Sequence, residues 1–193
     1  MHISITGKLG SGKSTVCRII KERYGYEIFS TGAIQREIAR EMGISTLELN
    51  KRMKLDHSLD TKIDETTTRL SRERRDDRLI FDSRMAWHFA ENTFKIFLTV
   101  DPSVAAERVM ANQRDSEERY ETVEEAREKL IERSLVEQAR FKELYGVDYY
   151  DYANYNLVVD SSERTPEEIV NIIWNAFRAY EADPAANRHI EVL

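Results

Sequence analysis

Residues Gly7-Lys8-Leu9-Gly10-Ser11-Gly12-Lys13-Ser14 place a glycine, four residues and Gly-Lys-Ser between an alternating apolar run and an amphipathic one. Glycines let consecutive backbone N–H groups curl toward an anion, and the positive end of the following helix lies behind them. In such a phosphate loop Lys13 reaches the terminal phosphates of a nucleoside triphosphate and the Ser14 hydroxyl holds magnesium. Gly7, Gly10, Ser11, Gly12 and Thr15 complete the cradle. A glycine-rich turn before a helix is the plain alternative, but here strand, loop and helix patterns follow in the order that a phosphate loop needs.

Three further segments carry charge to places where a phosphate could meet it. Ser30-Thr31-Gly32-Ala33-Ile34-Gln35-Arg36 ends an apolar run and opens a helix, which puts Arg36 one turn in, where a guanidinium can grip phosphate with two hydrogen bonds. Asp82-Ser83-Arg84 closes another apolar run. A carboxylate there holds magnesium through bound water, and Arg84 follows it into the same cleft. Between Thr122 and Tyr145, Val123, Leu130 and Phe141 form an apolar stripe, while Arg133, Glu137 and Arg140 share an arc of about 60° along its edge. Two arginines with a carboxylate to orient them can clamp a phosphoryl group in transit. A solvated charged face is the alternative, and periodicity alone does not prefer these arginines to Arg127 or Arg119.

Positioning such groups takes a sheet. His2-Ile3-Ser4-Ile5-Thr6 alternates like a strand, and Val16, Ile19 and Ile20 recur at helical spacing until Gly25. Runs at 26–29, 79–81, 96–100 and 156–159 read as four more strands separated by helical patterns. Ser45 with Glu48, Asp101-Pro102, Thr122 with Glu125, and Thr165-Pro166 with Glu168 mark helix starts. The expected fold is α/β: a five-stranded parallel sheet flanked by helices, binding its ligand at the carboxyl ends of the strands. Residues from about Glu181 to Leu193 carry Pro184 and small polar residues and leave the order of this tail open.

With 193 residues, 41% hydrophobic, the chain suffices for one core and falls short of two ordinary domains. A formal charge of -6 argues against nucleic acid as the main ligand, because binding a phosphate backbone needs a basic surface. No apolar stretch reaches membrane-spanning length, and the chain opens on a strand pattern instead of a signal peptide, so the expected location is the cytoplasm. The single cysteine, Cys17, has no disulfide partner within the chain and reads as helix packing. No His/Cys cluster has metal-ligand spacing, so the expected cofactors are ATP and its Mg2+.

Together, the phosphate loop, Ser-Thr-Gly-Ala-Ile-Gln-Arg at 30–36, Asp-Ser-Arg at 82–84 and Glu-Arg-Ser-Leu-Val-Glu-Gln-Ala-Arg at 132–140 resemble the cytidylate kinases, most of all their short archaeal-type members. The resemblance runs from about Met1 to Ala179. It implies a P-loop NTPase fold in one kinase domain over 1–180, with a helical monophosphate-binding segment at about 31–75 and a helical lid at about 110–145. It implies a nucleoside monophosphate kinase in which Arg36 and Arg84 hold the acceptor phosphate and Arg133 and Arg140 contact the phosphates being joined. Glu137 stands where bacterial members carry an acidic residue, and Arg108 and Arg164 resemble in place the residues that flank the donor adenine. The expected partners are small-molecule nucleotides, with no nucleic acid or membrane, and the expected state is a monomer.

Bacterial cytidylate kinases follow the strand-three arginine with an aspartate that helps read cytosine; here Met85 follows Arg84, and their large insertion is missing. Met85, Trp87 and His88 are candidates to pack against a base, although Trp and Met beside a strand end are more often core. Three readings stand: a kinase of CMP or dCMP, a kinase of a hydroxyl acceptor such as a nucleoside or small metabolite with Asp82 as base, and an ATP-binding or ATP-hydrolysing module. A hydroxyl acceptor has no phosphate for Arg36 and Arg84.

Overall fold

The structure, a computed structural model, describes residues 1–112 and 119–193; residues 113–118, near the start of the expected lid segment, lie outside them. Its elements in chain order are β1 (His2–Gly7), α1 (Lys13–Tyr24), β2 (Glu27–Ser30), α2 (Thr31–Glu41), α3 (Thr46–Leu55), α4 (Ser58–Glu73), β3 (Leu79–Asp82), α5 (Ala86–Phe89), β4 (Thr93–Thr99), α6 (Pro102–Ala111), α7 (Val123–Tyr145), β5 (Leu157–Asp160), α8 (Pro166–Ala182) and β6 (Ile190–Val192). The sheet is parallel throughout, in the order β2-β3-β1-β4-β5-β6.

The sheet thus has six strands where the sequence pattern indicates five. The sixth is Ile190-Glu191-Val192, three residues at the end of the tail, too short for a periodic signal. It forms by pairing: Ile190 aligns with Leu157 and Val192 with Val159, and the Asn156 side chain donates to the Arg188 carbonyl.

β1 shows why alternation is not the same as one wet face. Ile3 and Ile5 enter the core beneath α1 and α8, yet His2, Ser4 and Thr6 are just as fully buried. A buried polar group costs free energy unless it is hydrogen-bonded. Ser4 Oγ accordingly donates to Thr93 Oγ1 at 3.4 Å, Thr6 Oγ1 donates to the Ser83 carbonyl at 2.9 Å, and His2 Nε2 lies 3.1 Å from the Ser71 carbonyl. On the first face Val16, Ile19, Ile20, Ile169, Val170 and Ile173 seal the sheet, each contributing about 2 kcal/mol by leaving water, and Cys17 is buried among them. On the other face Phe97, Tyr149 and Tyr155 pack with Met85, Trp87 and Phe141.

The capping signals are realised locally. Ser45, Asp101, Thr122 and Thr165 each accept from backbone N–H groups at a helix start. Only Thr165 with Glu168 closes the full reciprocal box; Glu48 turns to Arg52 at 3.1 Å instead. No described helix is long and apolar enough to cross a membrane.

Candidate active site

β1 lies between β3 and β4, so the strand order reverses direction there and the chain parts to either side of the loop after β1. Two glycines make this loop possible. A Cβ on Gly7 would stand 2.3 Å from the Leu98 carbonyl oxygen, and one on Gly10, at φ +75°, would stand 2.8 Å from Ala105. A side chain at either position would push the loop off the sheet or off α6. Gly12 caps α1 in the left-handed region, and nothing lies within 4 Å of where its Cβ would be, so the loop is open on that side.

Lys13 curls under the loop. Its Nζ donates to the Gly7 carbonyl at 2.9 Å, the Lys8 carbonyl at 2.8 Å and Ser11 Oγ at 3.4 Å. Burial, and next the nearby Arg84 charge, push its ammonium down to about 7. An anion in the loop would reverse that shift by favouring the charged form.

The loop opens into a cleft of about 680 Å³, a size that suits nucleotide-scale ligands. It gathers residues from the loop after β1 through α8: Ser14 and Thr15 of α1, Arg36 of α2, Asp82 at the end of β3 and Arg84 beyond it, Arg108 of α6, Arg133, Glu137 and Arg140 of α7, and Arg164 before α8 all line it. Each candidate arginine therefore reaches one cavity, whereas Arg127 on α7 is exposed and lies off it.

Glu137 is the pivot of the basic wall. Its Oε2 receives Arg84 Nε at 2.9 Å and its Oε1 receives Arg133 Nε at 3.1 Å. Burial alone would raise the pKa of its carboxyl, but Arg84, Arg133 and Arg140 hold it down at about 2. It stays ionised and aims two guanidinium groups from different elements at the same space. The sequence reading has Glu137 orienting Arg133 and Arg140; in the structure its bonded partners are Arg133 and Arg84.

Arg140 is committed elsewhere. It is fully buried; Nη1 donates to Asn50 Oδ1 at 2.6 Å and to the Asn50 carbonyl at 3.3 Å, and Nε lies 3.3 Å from Asp60 Oδ2. It ties α7 to α3 and α4 while still lining the cleft. Arg36 sits near its own helix start, with Nη1 3.4 Å from where a Cβ on Gly32 would stand. Asp82 Oδ2 accepts from Ser30 Oγ at 2.9 Å, which holds the ends of β2 and β3 together. Arg108 donates to Ser161 Oγ and to the Ser161 and Ser162 carbonyls, and Arg164 donates to the Asp160 carbonyl at 2.6 Å. These two flank the loop on its β4 and β5 side.

Of the residues after β3, Met85 lines the cleft; Trp87 packs against Tyr155 and His88 against Phe89, both away from it. Sequence reasoning missed the α4 contribution. Asp60, Ile63 and Asp64 line the cleft, and both carboxylates are buried. The signal was present: two aspartates four apart bracket Ile63, the helix's buried apolar position, where a solvated face would put them on the other side.

The model of the cytidylate kinase-like family matches residues 2–163. A cytidylate kinase of Natronomonas pharaonis is 36% identical over 95% of this chain and 92% of its own length. An S-adenosylmethionine-dependent nucleotide dehydratase of Lacinutrix mariniflava is 31% identical over 97% of this chain, which spans 39% of that protein. Among solved structures, the shikimate kinase of Bacteroides thetaiotaomicron superposes with a TM-score of 0.58 at 13% identity, covering 92% of this chain and 98% of that one. At that identity the superposition shows the phosphate-loop kinase fold alone.

Proposed function

We propose that this chain, which belongs to the cytidylate kinase-like family, transfers the γ-phosphoryl group of ATP to a pyrimidine monophosphate, CMP or dCMP, with magnesium. Its cytidylate kinase relatives make it a phosphotransferase and favour a nucleoside monophosphate as acceptor. One observation carries the reading: cations from α1, α2, the end of β3 and α7 line a single cleft, more than one polyphosphate needs.

The residues present suit the nucleotide and its ion. The loop is open at Gly12 beside the Lys13 ammonium, as an anion cradle must be. No group of three or more His, Cys, Asp or Glu among the described residues is placed to hold a metal. Ser14 and Asp82 on the cleft instead suit magnesium that keeps water and phosphate oxygens as most of its ligands. Bound there, the ion would neutralise charge on the phosphates as it shifts.

The acceptor needs no general base. The second pKa of a phosphate monoester is about 6, so the attacking oxygen is already ionised at neutral pH. What the protein supplies is alignment and positive charge. Arg36 and Arg84 hold the acceptor phosphate, Lys13 and Arg133 face the phosphoryl group between donor and acceptor, and Glu137 keeps Arg84 and Arg133 in register. Arg140 joins the phosphate contacts when the lid, about 110–145, closes over the monophosphate-binding segment, about 31–75, exchanging Asn50 and Asp60 for phosphate oxygens. Arg108 and Arg164 flank the donor adenine. Lid closure would also expel the water that otherwise hydrolyses the donor.

A coupled ADP-release assay with ATP and magnesium across the common nucleoside monophosphates tests this. Acceleration by CMP or dCMP is expected, and Arg36→Ala should raise the acceptor KM at least tenfold while moving the ATP KM less than threefold. No acceleration by any monophosphate would overturn the reading, and an unmoved acceptor KM would remove Arg36 from the acceptor phosphate.

A further inference from the structure

The cleft has a second wall, opposite in character to the arginines. Ile63, Met85 and Phe141 supply apolar surface, and Asp60 and Asp64 of α4 stand among them as buried carboxylates. Asp60 is paired with Arg140. Asp64 forms no ion pair among the described residues, the Arg140 charge acting on it only as a minor opposing influence: Tyr145 Oη donates to its Oδ2, and Oδ1 makes no hydrogen bond with any described residue. Burial pushes the Asp64 carboxyl up to about 7, against the opposing hydrogen bond from Tyr145. The nearby Asp60 pushes in the same direction. A carboxyl kept in so unfavourable a place, with one oxygen anchored and the other open, is arranged for a donor from outside the protein.

We propose that Asp64, held by Tyr145, selects the acceptor base: its free oxygen accepts a hydrogen bond from an exocyclic amine, so that an aminopyrimidine is taken over an oxopyrimidine. The inference rests on the reading of the cleft as a monophosphate kinase site. Cytosine presents an amine donor where uracil presents a carbonyl acceptor. An incoming amine favours the ionised form of Asp64 and is met with a hydrogen bond, whereas a carbonyl faces either a second acceptor or a carboxyl that must first take up a proton, and a desolvated polar mismatch of that kind discriminates. Ile63, Met85 and Phe141 would enclose the flat ring. Asp64 does not touch the phosphates being joined and acts on specificity alone.

Asp64→Asn tests it, because asparagine keeps the shape and can turn its NH2 toward a carbonyl. The readout is the ratio of kcat/KM for CMP to that for UMP, in wild type, Asp64→Asn and Tyr145→Phe. The wild-type ratio should favour CMP. Asp64→Asn should lower it at least tenfold, mainly by improving UMP, with the ATP KM unchanged; Tyr145→Phe should lower it less, since it frees the carboxyl without removing it. Should Asp64→Asn fail to fold, the Tyr145→Phe ratio decides. A wild type that prefers UMP, or a ratio unchanged in the variants that fold, overturns the inference and leaves Asp64 as a tie between α4 and α7. A wild type that phosphorylates no monophosphate overturns the kinase reading instead.

Discussion

The two sides of the cleft are built by different means. The loop after β1 is made of backbone: Gly7 and Gly10 sit where a Cβ would collide with Leu98 and Ala105, and one lysine lies beneath. The facing side is made of side chains drawn from α2, α4, the end of β3 and α7, with Glu137 holding Arg84 and Arg133 in place and Asp60 holding Arg140. A backbone cradle recognises what all nucleoside triphosphates share. A side-chain wall can be retuned one residue at a time, which places acceptor choice on that side.

The comparison breaks first at Lys13. Lys13→Met should lower kcat at least a thousandfold with the fold intact by circular dichroism, since it removes the cation seated beneath the backbone-built loop; residual turnover within tenfold of wild type would shift the phosphoryl contact to the arginine wall.

Within the side-chain wall, two arginines of one helix should separate. Arg140→Ala leaves Asp60 buried without its cation, which should cost about 4 kcal/mol and lower Tm by about 10 °C in a thermal melt. Arg133→Ala, whose partner Glu137 keeps Arg84, should leave Tm within a few degrees and lower kcat about a hundredfold. Equal effects on Tm would mean that both residues serve only to hold α7.

The smallest effect is a fraction of a proton. Burial brings the free-state value of Lys13 down to about 7 and a bound triphosphate raises it, so binding near neutral pH should take up protons. Titration calorimetry in buffers of different ionisation enthalpy reads the uptake, with Lys13→Met as the control. The folding sign agrees: the unfolded chain, with an ordinary lysine, binds more protons between about pH 7 and 10.5. Lys13 therefore weakens the unliganded fold below about 7, and that cost disappears as pH rises through the window.

Legibility in the sequence followed the range of the interaction. The phosphate loop, the caps at Asp101, Thr122 and Thr165, and the stop at Gly146 depend on neighbours within a few residues and could be read directly. The stripe of α7 was visible, but not which of its charges face the cleft: Arg133 and Arg127 differ by burial, and burial depends on where α6 and α3 pack. The spacing of Asp60 and Asp64 around Ile63 hinted that they face inward, but not what they meet there, because their partners, Arg140 and Tyr145, lie about eighty residues on. β6 had no local signal, since three residues become a strand only when β5 offers its edge.

The chain by itself determined a phosphate-binding turn on a parallel α/β frame, because glycine spacing, alternation and capping are written in contiguous residues. Only the tertiary structure decided that Glu137 bonds to Arg84 as well as Arg133, that Arg140 is locked to Asn50 and Asp60, and that Asp64 looks into the cleft. The reason is physical: a charge buried from water takes its strength and its partner from whatever distant segment the fold brings against it.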